Sequence, residues 1–274
     1  MSPINIQTFS SSDLGFFVIS TIAYGEKEAV LFDAQLLQKE AQKVVEMIKE
    51  LDKQLKAIFI THAHSDHFFG LATFQKAFPE VKIYAHPAVV ADAQKTARHQ
   101  VIAMKQLFKD LIPDTVVIPE PYTASTYSLE DQKIQIIPNL TGDIAPSTAY
   151  FIPTIEAMIA GDIVYNKIHP WTLDTDNKQR DQWITSLRQL KSYHPKIVIG
   201  GHKDISQPDS PDALDFMINY LTKFNEAINT LATAEAVIER MKQQFPTAGR
   251  VGMLKMGAKK NKGEDFSFQD FFEK

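Results

Sequence analysis

Thr61-His62-Ala63-His64-Ser65-Asp66-His67 follows directly on the apolar run 56–60, so three histidines and an aspartate leave the end of a buried strand within a few residues. In an extended segment alternate residues face the same way, so His62 and His64 can converge on one ion while the following turn directs Asp66 and His67 toward another. A single loop histidine is usually an ordinary polar residue. This density of imidazole and carboxylate is instead the pattern of a metal centre. The chain has no cysteine, so thiolate ligands and disulfides are excluded and any metal must be held by His, Asp or Glu.

Working outward, the segments 4–9, 15–23 and 28–32 read as strands separated by Ser/Asp and Gly25-Glu26 turn signals. Leu37, Ala41, Val44, Val45, Ile48 and Leu51 recur at helical spacing and predict an amphipathic helix over 36–52. Beyond the histidine run the pattern predicts helix at 71–78, strand at 81–85 and helix at 88–110. Strands at 133–137, 149–153 and 157–160, a helix at 178–193 and a strand at 196–199 repeat that rhythm. Two sheets, each with helices outside, account for it. After 205 the strands stop: Leu214, Met217, Ile218, Leu221, Ile228 and Leu231 outline a long helix, and Val237, Ile238, Met241 and Phe245 a second.

With 274 residues and 44% apolar content the chain can fill a large core. A net charge of −4 offers no global attraction to nucleic acid or an anionic membrane, which leaves a small molecule as the expected partner. No run of 18 apolar residues occurs, and the first ten residues lack a basic start followed by an apolar stretch. The cytoplasm is the expected location. The basic stretch 255–262 and the aromatic group Phe266, Phe268, Phe271 and Phe272 read as a tail. Such a tail would pack on its own domain or meet a second subunit of a homodimer. Contact between its lysines and phosphate, as in a nuclease or phosphodiesterase, is a minor alternative.

The stretch 61–67 resembles the His-x-His-x-Asp-His hallmark of the metallo-β-lactamase superfamily, and the resemblance covers about the first 205 residues. It implies an α/β (α+β) fold, a four-layer αββα sandwich with a dinuclear metal site, commonly zinc, at one edge of the two sheets. On this view 1–205 is the catalytic domain and 206–274 a C-terminal helical extension and tail. The second block of the family usually reads Gly-His-Thr-Pro-Gly-Ser; here Gly142-Asp143-Ile144-Ala145-Pro146-Ser147 takes its place and the histidine is missing. Ala160-Gly161-Asp162 matches the third block and Gly200-Gly201-His202 the last. The resemblance then implies a first metal held by His62, His64 and Asp143, a second held by Asp66, His67 and His202, and Asp162 bridging both.

Asp143 would change the charge of such a site. Two divalent ions are balanced by three carboxylates and a bridging hydroxide, whereas a neutral histidine would leave one positive charge over. An added oxygen ligand suits manganese or iron, although zinc stays the first expectation. Asp143 standing near the site without ligating is the alternative. The implied activity is hydrolysis of a small ester, thioester or lactone, with Asp66 accepting or relaying a proton. An iron-dependent oxidoreductase and a metal-binding protein with little catalysis are the other readings. Asp33, which ends an apolar strand, is a candidate to orient a metal-bound histidine or simply to cap a turn. Tyr165 and His169, just past Asp162, are candidates for substrate contact.

Overall fold

The computed structural model describes residues 3–267. One sheet contains β1 (Asn5–Ser10), β2 (Ile19–Tyr24), β3 (Glu28–Phe32), β4 (Gln54–Ile60), β5 (Lys82–Ala85) and β6 (Glu120–Pro121), in that spatial order. Its first three strands are antiparallel and the rest run parallel. Parallel neighbours require crossovers: α1 (Gln38–Glu50) joins β3 to β4, α2 (Ser65–Phe68) and α3 (Leu71–Ala77) lie between β4 and β5, and α4 (Pro87–Phe108) follows β5. The second sheet holds β7 (Thr126–Leu129), β8 (Gln132–Leu140), β9 (Ser147–Ile152), β10 (Ala157–Asn166) and β11 (Ile197–Lys203), in the order β11-β10-β9-β8-β7. Only β10 and β11 are parallel there, connected by α5 (Asn177–Lys191). Three helices complete the described chain: α6 (Asp212–Thr230), α7 (Ala234–Gln244) and α8 (Val251–Lys262).

The four layers follow from which faces of the strands are apolar. Val30, Phe32, Ala57 and Phe59 of the first sheet meet Ile134, Ile136, Tyr150, Ile152, Ile159 and Ile199 of the second in a core between the sheets. The intervening residues Ala29, Leu31, Ile58 and Ile60 face the other way, toward the stripe Ala41, Val44, Val45 and Ile48 on α1. On the far side Trp183, Leu187 and Leu190 of α5 and Leu214, Met217 and Leu221 of α6 join the same outer core as Met158 and Ala160. Because β4 is buried on both faces, it reads as the unbroken apolar run Ala57-Ile58-Phe59-Ile60 rather than as an alternation.

The expected sandwich is therefore present, with local departures. The predicted strand at 15–23 begins only at Ile19, because Phe16 (φ 67°) and Phe17 (φ 59°) take left-handed conformations. That turn points the Phe16 carbonyl at His202. The strand predicted at 157–160 runs on to Asn166. The basic stretch 255–262 is not a tail but part of α8, whose Met253, Leu254, Met256 and Ala258 are buried. Lys262 donates to the carbonyls of Ile228 and Leu231 at 3.0 and 2.6 Å, capping the end of α6. Phe266 is exposed, and Phe268, Phe271 and Phe272 lie outside the described residues. Among the described residues no helix is long and apolar enough to cross a membrane.

Candidate metal centre

The chain leaves β4 at Ile60, bends over residues 61–63 and is extended at His64 (φ −82°, ψ 143°) before α2 starts at Ser65. His62 thus comes from the bend after β4 rather than from the extended segment expected, His64 from the residue before α2, and Asp66 and His67 from α2 itself. Asp162 arrives from the middle of β10, His202 from β11, and Asp143 from the loop between β8 and β9. Glycine makes this approach possible: a Cβ on Gly201 would overlap Oδ1 of Asp162. All seven residues that the sequence singled out converge. His62, His64, Asp143 and Asp162 bring ligand atoms within 4.8 Å of one another, and Asp66, His67 and His202 do the same. Asp162 also faces the second group, with Oδ1 3.1 Å from His67 Nε2 and Oδ2 3.2 Å from His202 Nε2.

A hydrogen-bond relay sets which ring nitrogens face inward. Asp33, an acceptor only when ionised, takes the backbone N–H of Thr61 (2.9 Å), the Thr61 hydroxyl (2.9 Å) and Nδ1 of His67 (2.7 Å). With its one proton given to Asp33, the Thr61 hydroxyl can only accept from Nδ1 of His62 at 2.9 Å. His202 donates from Nδ1 to the Phe16 carbonyl at 2.8 Å. In all three rings Nδ1 is held by the protein and Nε2 turns to the centre, the arrangement that orients metal-binding imidazoles. Asp33 thus orients a histidine of the cluster, one of its two candidate roles.

The carboxylates of the centre hold protons on most of its imidazoles. Burial disfavours a charged His64, but Asp143, 2.9 Å from Nδ1, raises its pKa to about 9. Burial is likewise outweighed at His202, which Asp162 and Asp66 raise to about 10, and at His67, which Asp162 and Asp33 raise well above the ordinary imidazole value. Burial, reinforced by neighbouring His67, pushes His62 down instead. Asp143 rises to about 6, chiefly through burial, while His67 and His202 hold Asp66 and Asp162 low despite theirs. Nε2 of His62, Nε2 of His67 and Oδ1 of Asp162 are buried without a hydrogen-bond partner, the 3.1 Å approach of the last two being poorly aligned. Buried polar atoms of this kind each cost about 1–3 kcal/mol when unmet. A cluster of buried nitrogen and carboxylate donors fits a divalent cation, and an ion there would take the place of the protons.

Above the cluster lies a cavity of about 250 Å³. Its apolar walls are Phe16, Met104 on α4, Trp171 and Met253 on α8, joined by Gln100 and Asp174. Trp171 donates from its indole to Asp174 at 2.7 Å, and Gln100 donates to the Ala63 carbonyl at 2.7 Å. The loop bearing Phe16 is gripped by Arg250, which pairs with Asp13 and lies over the Phe17 ring at 4.5 Å. Tyr165 forms part of the cavity floor, fully buried, with its hydroxyl between Asp143 and Asp162. His169 is placed differently: it is 1% exposed, lies within hydrogen-bonding distance of the Tyr220 hydroxyl (2.7 Å) and is not among the lining residues. Burial lowers its pKa to about 4. The walls Phe16, Gln100, Met104, Asp174 and Met253 carried no local signal, because each is an ordinary residue of its own helix or loop.

Comparison with known proteins agrees with this architecture. The sequence profile of the Metallo-beta-lactamase superfamily matches residues 14–202. A metallo-beta-lactamase from Pontibacter korlensis is similar in structure, with 19% identity and a TM-score of 0.61, over 81% of this chain and 96% of that one. A beta-lactamase domain protein from Burkholderia ambifaria has 13% identity and a TM-score of 0.69, over 94% of this chain and 84% of that one. The stereoselective inverting sec-alkylsulfatase Pisa1 from Pseudomonas sp. has 13% identity and a TM-score of 0.64, over 98% of this chain but 51% of its own. No curated protein matches. Such identities establish the shared fold and leave the substrate open. With the profile matched from the loop before β2 through His202, this chain belongs to the metallo-β-lactamase superfamily.

Proposed function

We propose that the chain is a dinuclear metal-dependent hydrolase acting on a small, uncharged ester, thioester or lactone. The observation that carries this reading is the pairing of two adjacent donor sets with a small, largely apolar cavity that has no lysine or arginine among its lining residues. Apart from the ions and the imidazoles of His64 and His202, an anionic substituent would meet no side-chain cation among the lining residues and would lie beside Asp174. Desolvating an anion beside carboxylates is unfavourable. A neutral acyl compound meets no such penalty.

In this reading His62, His64 and Asp143 hold one ion, Asp66, His67 and His202 the other, and Asp162 both. Zinc is the first choice, with manganese or iron compatible with the carboxylate-rich set. Bound ions would supply Lewis acidity and lower the pKa of water enough to make it nucleophilic near neutral pH. Asp66 stays ionised, and because its Oδ2 faces His67 Nε2 at 3.7 Å and His202 Nε2 at 3.2 Å, Oδ1 is the atom that accepts the proton of the attacking water. It then returns the proton to the leaving oxygen or sulfur. Phe16, Met104, Trp171 and Met253 hold the acyl group and exclude bulk water. Residues 1–205 thus supply every proposed ligand, and 206–274 contribute one wall.

The test is elemental analysis of the purified protein with hydrolysis of matched neutral and carboxylate-bearing esters, thioesters and lactones. Two metal equivalents and preferential turnover of neutral compounds are expected. Stoichiometric metal without hydrolysis, or preference for anionic substrates, defeats the reading; redox-active iron without hydrolysis replaces it with an oxidoreductase.

A further inference from the structure

Asp162 and Tyr165 are three residues apart on β10, and in a regular strand they would face opposite sides of the sheet. The register of β10 against β11 is broken between Gly161 and Tyr165. Irregularities of this kind re-aim side chains, and here the Tyr165 hydroxyl lies 2.6 Å from Oδ2 of Asp162 and 3.1 Å from Oδ2 of Asp143. Its ring stacks on His202, with centroids 5.2 Å apart and planes 13° from parallel. One fully buried side chain therefore touches a member of the first donor set, a member of the second, and the carboxylate that faces both.

Two buried carboxylates side by side repel, and each has two equivalent oxygens to offer an ion. Both oxygens of Asp143 have neighbours: Oδ1 accepts from the Ile144 N–H at 2.8 Å, and Oδ2 lies 2.9 Å from His64 Nδ1 and 3.1 Å from the Tyr165 hydroxyl. The hydroxyl gives its one proton to the nearer acceptor, Oδ2 of Asp162 at 2.6 Å, and leaves Oδ1 without a hydrogen-bond partner. The stacked ring sets the plane of the His202 imidazole, whose Nε2 reaches Asp66 and Asp162 at 3.2 Å each.

We propose that Tyr165 is a positioning residue for the metal centre, its one hydroxyl proton holding the Asp162 carboxylate beside Asp143 and its ring fixing His202, so that the two ion positions are held in one relative geometry. The inference rests on the dinuclear reading above. Partners that orient metal ligands typically contribute ~10–100-fold in metal affinity.

The experiment measures stepwise zinc affinities by chelator competition in wild type, Tyr165→Phe and Tyr165→Leu, together with the visible spectrum of the cobalt(II)-loaded proteins and melting of the metal-free forms. Phe keeps the stack and removes the hydroxyl; Leu removes both. The expected result is an affinity loss of ~10–100-fold in Tyr165→Phe, larger in one step than in the other, with altered cobalt bands, and a further loss in both steps for Tyr165→Leu. A purely structural tyrosine would lower the melting temperature without a selective effect on either step, and that result overturns the proposal. So do unchanged affinities in Tyr165→Phe while wild type binds two ions. Wild type that binds no metal overturns the dinuclear reading itself.

Discussion

Replacing Asp33 by asparagine changes one atom and removes the charge on which the hydrogen-bond relay depends. Oδ1 accepts one N–H and Oδ2 accepts two donors, the Thr61 hydroxyl and Nδ1 of His67. An amide has one oxygen, and it does best at the Oδ2 position, which sets its NH₂ against the Thr61 N–H. One buried backbone donor is then unmet, at about 1–3 kcal/mol, and the surviving bonds lose charge assistance worth up to roughly half their strength. A total destabilisation of about 2–4 kcal/mol follows from those two terms. The relay adds a second effect, because Asp33 holds His67 directly and His62 through Thr61. Loosening both rings raises the zinc dissociation constant by ~10–100-fold, equivalent to ~1.4–2.8 kcal/mol. The assay is thermal melting of Asp33→Asn and wild type, each metal-free and zinc-loaded, with chelator competition for affinity. The deficit should be larger in the loaded protein. An equal deficit in both forms would refute the reasoning, since Asp33 would then serve the fold and not the ligands.

The raised histidines give a pH dependence whose sign is fixed. His64 at about 9 and His202 at about 10 lie above the ordinary value of 6.5, so their contribution to the metal-free fold is complete below pH 6.5 and disappears as pH rises through 9 and 10. Melts of metal-free protein should fall by on the order of 5–10 °C between pH 6.5 and 10, and a similar fall in metal-loaded protein would show that these imidazoles are not its source. Gly201→Ala drives a methyl into Asp162 Oδ1, for an expected loss of about 1–3 kcal/mol and of metal content; full metal occupancy with an unchanged melt would contradict the close approach of β11.

Much of the centre was legible because its ligands sit at ends or irregularities of strands buried on both faces, where an unbroken apolar run stops at a polar residue. Ile60 gives way to Thr61 and His62, Ala160 to Gly161 and Asp162, and Gly201 to His202. Tyr165 and His169 looked equivalent in the sequence, and the broken register of β10 separates them: one hydroxyl turns to the carboxylates, while the other side chain is spent on Tyr220. Helix α8 was hidden because the lysines at 255, 259, 260 and 262 dominate its composition, although Met253, Leu254, Met256 and Ala258 supply a buried side. The two-residue β6 is too short to generate a period. Phe16 is apolar and precedes a strand, so only its contact with His202, far along the chain, explains why it turns aside.

Arg250 reaching across to Asp13 means that the rim over the donor cluster joins segments from opposite regions of the sequence, neither of which carries a proposed ligand. Substitutions around 250–254 can reshape what enters while every proposed donor atom keeps its place, whereas the 13–17 loop also holds His202 through the Phe16 carbonyl, so only one side of the rim is free to vary independently of the centre.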